Sequence, residues 1–261
     1  MKPVALLAVA ALAFAAPARA QDAIADFYRG KQITIVVGST AGGGYDLYAR
    51  LVARHIGKYI PGNPNVVVQN MPGASGNTSA AFVANVAAKD GTYIGAPQAG
   101  SLVDQLISQN AAQIKHDART LNYIGSANSE MFTCIVAADA PIRTFDDIFQ
   151  REVILGSSGG TTRDMPMALK NVLHAKFKMV AGYPGTKEIT LAFQRNEIQA
   201  ICGFGYSSLM SQYPDWVPTG AARVFVQEST QGHPDLNKLG IPLAATFAPT
   251  DEDRQIGRAH V

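Results

Sequence analysis

Short β-branched runs alternate with helix-length segments along most of this 261-residue chain. Few folds accept that alternation, because strands joined through helices settle side by side in parallel α/β layers. Residues 33–37 read as the first strand and 45–59 as a helix with Leu47, Leu51, His55 and Tyr59 on one stripe, stopped by Pro61 and Pro64. Residues 66–68 and 93–96 read as the next strands, each followed by a turn-rich loop and a helix. LNYIGSAN, residues 121–128, reads as a fourth strand that runs into MFTCIVAAD. The pattern then restarts with a short helix in TFDDIFQ, a strand in VILG, the loop SSGGTTRDM, and a helix in PMALKNVLHA with Pro166 near its first turn, where a missing N–H costs nothing. Two similar halves joined near residues 122–133 predict two lobes, with RVFVQ, residues 223–227, as the second connection.

The first twenty residues, MKPVALLAVAALAFAAPARA, have a basic start, a short apolar run and an Ala18-Arg19-Ala20 ending. That pattern predicts a secretory leader cleaved after Ala20 and an exported, soluble protein. Without the leader, Lys and Arg fall from 22 to 20 against 20 Asp and Glu. A net charge near zero with no basic cluster excludes nucleic acid as a partner. Cys134 and Cys202 lie in strand-like runs and match no metal or CxxC spacing, so they either close a disulfide or remain two buried thiols. Near the carboxyl end, PTDEDRQ reads as a helix start capped by Thr250 or Asp251. Residues 256–261, IGRAHV, match the peptide that one frame of a common sequencing-library adapter encodes before a stop codon, and are expected to be read-through with the natural carboxyl end missing.

Three glycines stand before the first helix in VGSTAGGGYD. A phosphate loop of the G-x-x-x-x-G-K-[ST] type would need lysine where Gly44 stands, and a dinucleotide G-x-G-x-x-G starting at Gly42 would need glycine where Leu47 stands. What survives is a loop whose backbone N–H groups and following helix N-terminus favour an anion, for which a carboxylate is as suitable as a phosphate. Asp46, in the first helical turn, is either a partner of the helix dipole or an acceptor toward ligand or ordered water. A second loop, Gly156 to Gly160 (GSSGG), formally satisfies the G-x-S-x-G elbow around Ser158. An esterase would then need His233 or His260 downstream of an acid such as Asp215 or Asp235, and no glycine-rich oxyanion motif precedes the loop. Ser157, Ser158, Thr161 and Thr162 are better read as hydroxyl donors to an anion. The five histidines show no ligand spacing, so no metal is expected, and neither is a cofactor.

The motifs FYRGKQITIVVGSTAGGGYDLYARL, VVVQNMPGASGNTSAA, AAKDGTYIG, GSSGGTT and VAGYPGTKEI, in this order, resemble the periplasmic substrate-binding receptors of tripartite tricarboxylate transporters across nearly the whole mature chain. The resemblance implies a type II periplasmic-binding fold of two α/β lobes, lobe 1 spanning 21–127 and 229–255 and lobe 2 spanning 128–228, that closes on a small carboxylated ligand. It implies a ligand site built from Ser39, Thr40, Ala41, Gly42, Gly43 and Asp46. To these are added Pro72, Gly73, Ala74, Ser75 and Gly76, the loop residues Pro97 and Gln98, and, on the far lobe, Ser157, Ser158, Gly159, Thr161, Thr162, Tyr183, Pro184 and Gly185. It further implies a non-enzymatic receptor, acting as a monomer, that passes its ligand to integral-membrane transporter subunits. A sensor subunit that hands its ligand state to a signalling protein is the alternative outside catalysis. Many members carry Phe-Pro or Phe-Ser before AGG; Ser39-Thr40 stands there here, replacing a ring with two hydroxyls.

Overall fold

Eight strands form two separate sheets in the computed structural model, which describes residues 23–108 and 111–251. The leader and its cleavage site, the helix expected beyond Asp251 and the IGRAHV tail lie outside the described residues. In the first sheet β1 (Gln32–Val37) is flanked by β2 (Asn65–Asn70) and β3 (Tyr93–Ala96), all parallel. Its central place explains why residues 33–37 are all buried, Thr34 included, since a strand covered on both faces gains nothing from alternation. Helix α1 (Gly44–Ile56) links β1 to β2, α2 (Asn77–Asn85) links β2 to β3, and α3 (Ala99–Ile107) follows β3.

The face that α1 buries differs from the expected one. Ala49 is buried, and Tyr45, Val52 and Ala53 pack with it on Ile35 and Val37. Leu47, Leu51 and Tyr59 are exposed. Small residues at helical spacing let the helix axis approach the sheet, and the larger leucines are displaced to the outer face.

The second sheet holds β4 (Phe132–Ala137), β5 (Val153–Ser157), β6 (Phe177–Ala181), β7 (Ala200–Gly205) and β8 (Ala222–Glu228) in the order β6-β5-β7-β4-β8. Strand β5 runs parallel to β6 and β7, whereas β4 is antiparallel to both β7 and β8. The expected all-parallel layer is therefore broken by the strand that arrives from the first sheet. Helices α4 (Asp147–Gln150), α5 (Thr161–Leu173), α6 (Thr186–Gln194) and α7 (Tyr206–Gln212) follow these strands. Pro166 sits inside α5, deeper than its first turn. Cys134 and Cys202 are joined as a disulfide across the β4–β7 pair.

Three further expectations change. Residues 121–128 make no strand ladder, and Tyr123 and Ile124 are exposed, because the segment crosses between the sheets with no strand beside it. RVFVQ belongs to β8, paired along β4, and is not a connection. Residues 229–251 do not return to the first lobe. Within them α8 (Pro234–Lys238) buries Leu236 in the second core, Ile241, Ala244 and Phe247 pack on that core, and the Phe247 ring lies 4.4 Å from that of Phe145. Their apolar side chains find cover there, and Gln227 ties them down by donating through Nε2 to Ile241 O at 2.7 Å. Among the described residues no helix is long and apolar enough to cross a membrane.

Candidate functional site

Beyond Val37 the chain turns through Gly38 to Gly43 into α1, and three segments meet at this end of the first sheet. Gln98 N and Gly76 Cα each lie 3.1 Å from where a side chain at Gly38 would begin, and Gln98 Nε2 donates to Gly38 O at 3.0 Å. Register places Asn70 opposite Val37. From there Asn70 Nδ2 donates to Ser39 O at 3.0 Å and to Asp46 Oδ1 at 2.8 Å. The other Asp46 oxygen accepts from Gly42 N and from Arg50 Nε, both at 2.8 Å. Burial by itself would raise the pKa of Asp46, but the hydrogen bonds from Arg50, the Gly42 N–H and Asn70 outweigh it and hold the carboxyl below its ordinary value. Beside the two roles left open for Asp46, this geometry gives it a third, a brace beneath the loop that accepts from the Gly42 N–H, Arg50 and Asn70. Ser39 is buried and Ala41 exposed beside this bend.

The second loop, Pro72 to Gly76, holds Ala74 at φ 46° and Ser75 at φ 57°. Left-handed backbone at two successive non-glycine residues costs roughly 1–2 kcal/mol each and persists only where the surroundings enforce it, which is common at binding sites. The enforcement here comes from the next turn, where Gly76 packs against Gln98.

On the second lobe β5 leads through Ser157–Gly160 into α5. Ser157 is buried, and its Oγ accepts the Gly159 N–H at 3.1 Å. Thr162 Oγ1 accepts the Ser158 N–H at 3.0 Å and donates to Gly159 O at 2.9 Å, while Thr161 Oγ1 donates to Gly203 O at 3.0 Å. Two of the four expected hydroxyl donors therefore shape their own loop, and Thr161 ties it to β7. Ser158 Oγ lies 3.3 Å from Thr162 Oγ1. His233, which the esterase alternative would need, caps α8 by accepting the Asp235 N–H at 3.2 Å, with its ring 4.8 Å from that of Tyr206. The other candidate base, His260, lies outside the described residues. Tyr183 packs on the second core, its ring 3.2 Å from the side-chain position of Gly156. Phe204 is likewise a core residue. Pro184 is exposed, and Gly185 faces the other lobe.

The loops of the two lobes press on each other. A side chain at Gly159 would overlap Ser75 Oγ, and one at Gly185 would overlap Thr40 Oγ1, so hydrogen is the only substituent that fits either contact. Gln98 Oε1 lies 2.6 Å from the side-chain position of Gly160. Thr40 Oγ1 donates to Glu188 Oε2 at 3.1 Å. Arg163 of α5 pairs with the buried Asp104 of α3 at 2.8 Å. Tyr48 of α1 and Ser207 of α7 share a 2.7 Å hydroxyl contact, and Asn128 donates to both at 2.9 and 3.1 Å. Sequence reasoning missed Arg50, Asn70, Asp104, Arg163, Lys187 and Glu188. Only Arg50 left a signal, standing four residues after Asp46 on one helix face; Asn70 needed the strand register, and the rest needed the lobes set against each other.

No protein-family model matches the chain. It is 31% identical over 270 residues to the UPF0065 protein in the gbd 5′ region of Cupriavidus necator, with 95% of this chain and 77% of that protein covered. Among solved structures it is similar to Rpa4515 of R. palustris with adipate, at 20% identity and TM-score 0.68 over 88% of this chain and 81% of that one. It is also similar to MatC of Rhodopseudomonas palustris with bound malate, at 16% identity and TM-score 0.70 over 88% and 83%. The periplasmic binding protein BugD matches at 18% identity and TM-score 0.68 over 89% and 82%. The fold expected from the sequence motifs, two α/β lobes of a periplasmic binding protein, is the fold this chain shares with them. By its sequence likeness to the C. necator protein, the chain belongs to the UPF0065 family.

Proposed function

We propose that this protein is an extracytoplasmic receptor that captures a small carboxylated compound between its two lobes and delivers it, as a monomer, to integral-membrane transporter subunits. The leader-like start supports export to the periplasm with cleavage after Ala20. The observation that carries the reading is the approach of Gly159 to Ser75 and of Gly185 to Thr40. Loops at the carboxyl ends of strands from two sheets meet there with only hydrogen between them, which is the contact a closing receptor makes and a cleft between rigid halves does not need. Adipate and malate in the structural neighbours support a carboxylate as the ligand. The site needs no nucleophile, and Ser158 pairs with a threonine.

A thermal-shift screen against mono-, di- and tricarboxylates, amino acids and aromatic acids tests this. A ligand present at about 100 times its Kd stabilises by roughly 2.7 kcal/mol, which in a chain of this size raises the melting temperature by about 5–10 °C. Silence across every anion would overturn the reading. Ser158→Ala separates it from the esterase alternative: an esterase loses all turnover, a receptor at most some affinity.

A further inference from the structure

The polar groups expected to hold an anion are largely spoken for inside the protein. Asp46 takes the Gly42 N–H, Glu188 takes the Thr40 hydroxyl, Gly38 O takes the Gln98 amide, and Gly159 O takes the Thr162 hydroxyl. The nearby arginines are also engaged, Arg50 with Asp46 at 2.8 Å and Arg163 with Asp104 at 2.8 Å and Asp164 at 2.7 Å. Lys187, in the first turn of α6, is different. Its side chain crosses to the opposite lobe, where Cδ and Nζ lie 3.4 and 3.7 Å from the side-chain position of Gly42. Among the described residues it enters no ion pair. Its neighbour Glu188 accepts the Thr40 hydroxyl across the same gap.

We propose that Lys187 is the specificity-determining cation of the cleft: its ammonium pairs with a carboxylate of the bound ligand beside the Gly42 turn, and the Thr40–Glu188 hydrogen bond is the clasp that holds it in place. The assignment rests on the carboxylate-receptor reading and deepens it. An ammonium on one lobe that reaches the anion loop of the other can contact the ligand only when the lobes meet, so ligand charge and closure become one event. Gly42 holds φ 83°, a conformation that favours glycine, and the lysine stem lies at van der Waals distance from that turn. Thr40, half of the pair that replaces the aromatic residue of many relatives, thereby acts on ligand choice through Glu188.

The test is isothermal titration of the wild type, K187M and K187R with succinate, L-malate, adipate, citrate and benzoate at low and moderate salt. For the acid the wild type binds best, K187M is expected to weaken binding about tenfold or more, the loss of one charge-assisted contact, and to flatten its salt dependence. K187R should stay within about threefold, because the charge is kept. T40V should weaken binding less than K187M. Wild-type binding of any of these acids with K187M equally tight would overturn the role of Lys187 and leave the receptor reading intact. Binding of none of them by the wild type would overturn both. Lys187 is exposed, and circular dichroism of K187M and K187R should match the wild type.

Discussion

Two buried carboxyls behave in opposite ways for identifiable reasons. Asp46 stays charged because three donors converge on it, and removing that charge releases the loop it braces. Asp46→Asn is expected to cost about 1–3 kcal/mol, the range for a charged hydrogen-bonded group, and to weaken ligand binding in titrations. Glu228 has one donor, the Gly203 N–H at 2.7 Å, and its Oε1 has no hydrogen-bond partner among the described residues. Burial pushes its pKa from 4.5 to about 8, against the smaller opposing effect of that one bond. The folded chain then keeps a proton that the unfolded chain releases, so stability falls as pH rises between about 4.5 and about 8, and levels off above. Urea melts at pH 5 and pH 8.5 should show the decline in the wild type and a smaller one in Glu228→Gln; parallel declines would refute the assignment.

At the scale of elements, β4 joins the second sheet against the direction of its neighbour β7, and the disulfide between Cys134 and Cys202 staples that pair. The bridge closes a separation of 68 residues. In the chain-entropy account a loop of this length is worth about 4 kcal/mol, so reduction by a dithiol, or the double Cys→Ser variant, should lower the melting temperature by roughly 8–16 °C in calorimetry. The bulge at Gly203 beside the bridge, with φ 65°, brings β7 against the first turn of α5, where a side chain would overlap Thr161 O. Gly203→Ala is expected to destabilise the second lobe by about 3 kcal/mol or more, through both strain and overlap, as measured by chemical denaturation.

For the whole molecule the deciding contacts are those between lobes. Gly185 offers the cleanest probe, since its φ of −169° is extended backbone that any residue adopts. Gly185→Ala therefore strains no backbone, and its cost, about 1–3 kcal/mol, should come from the overlap with Thr40 that holds the lobes apart. Small-angle scattering with and without a ligand found in the screen should show a reduced contraction for the variant, with weaker binding.

The sequence alone determined the strand-and-helix alternation, the glycine loops at strand ends and the mismatch with nucleotide motifs, because these depend on local spacing and on which residue types a turn accepts. It also held an unread signal for the Asp46–Arg50 pair, four residues apart on one helix, and the bracing role was visible only in three dimensions. The buried face of α1 was misread because leucines and alanines compete for the same helical period, and the sheet decided for the smaller side chains. Residues 121–128 looked like a strand because β-type residues need a partner to become one, and none lies beside them. Where residues 229–251 pack, the direction of β4, and the reach of Lys187 to Gly42 rest on contacts between segments far apart in the chain. Such contacts form only when the sheets and lobes have assembled, and no local pattern of residues encodes them.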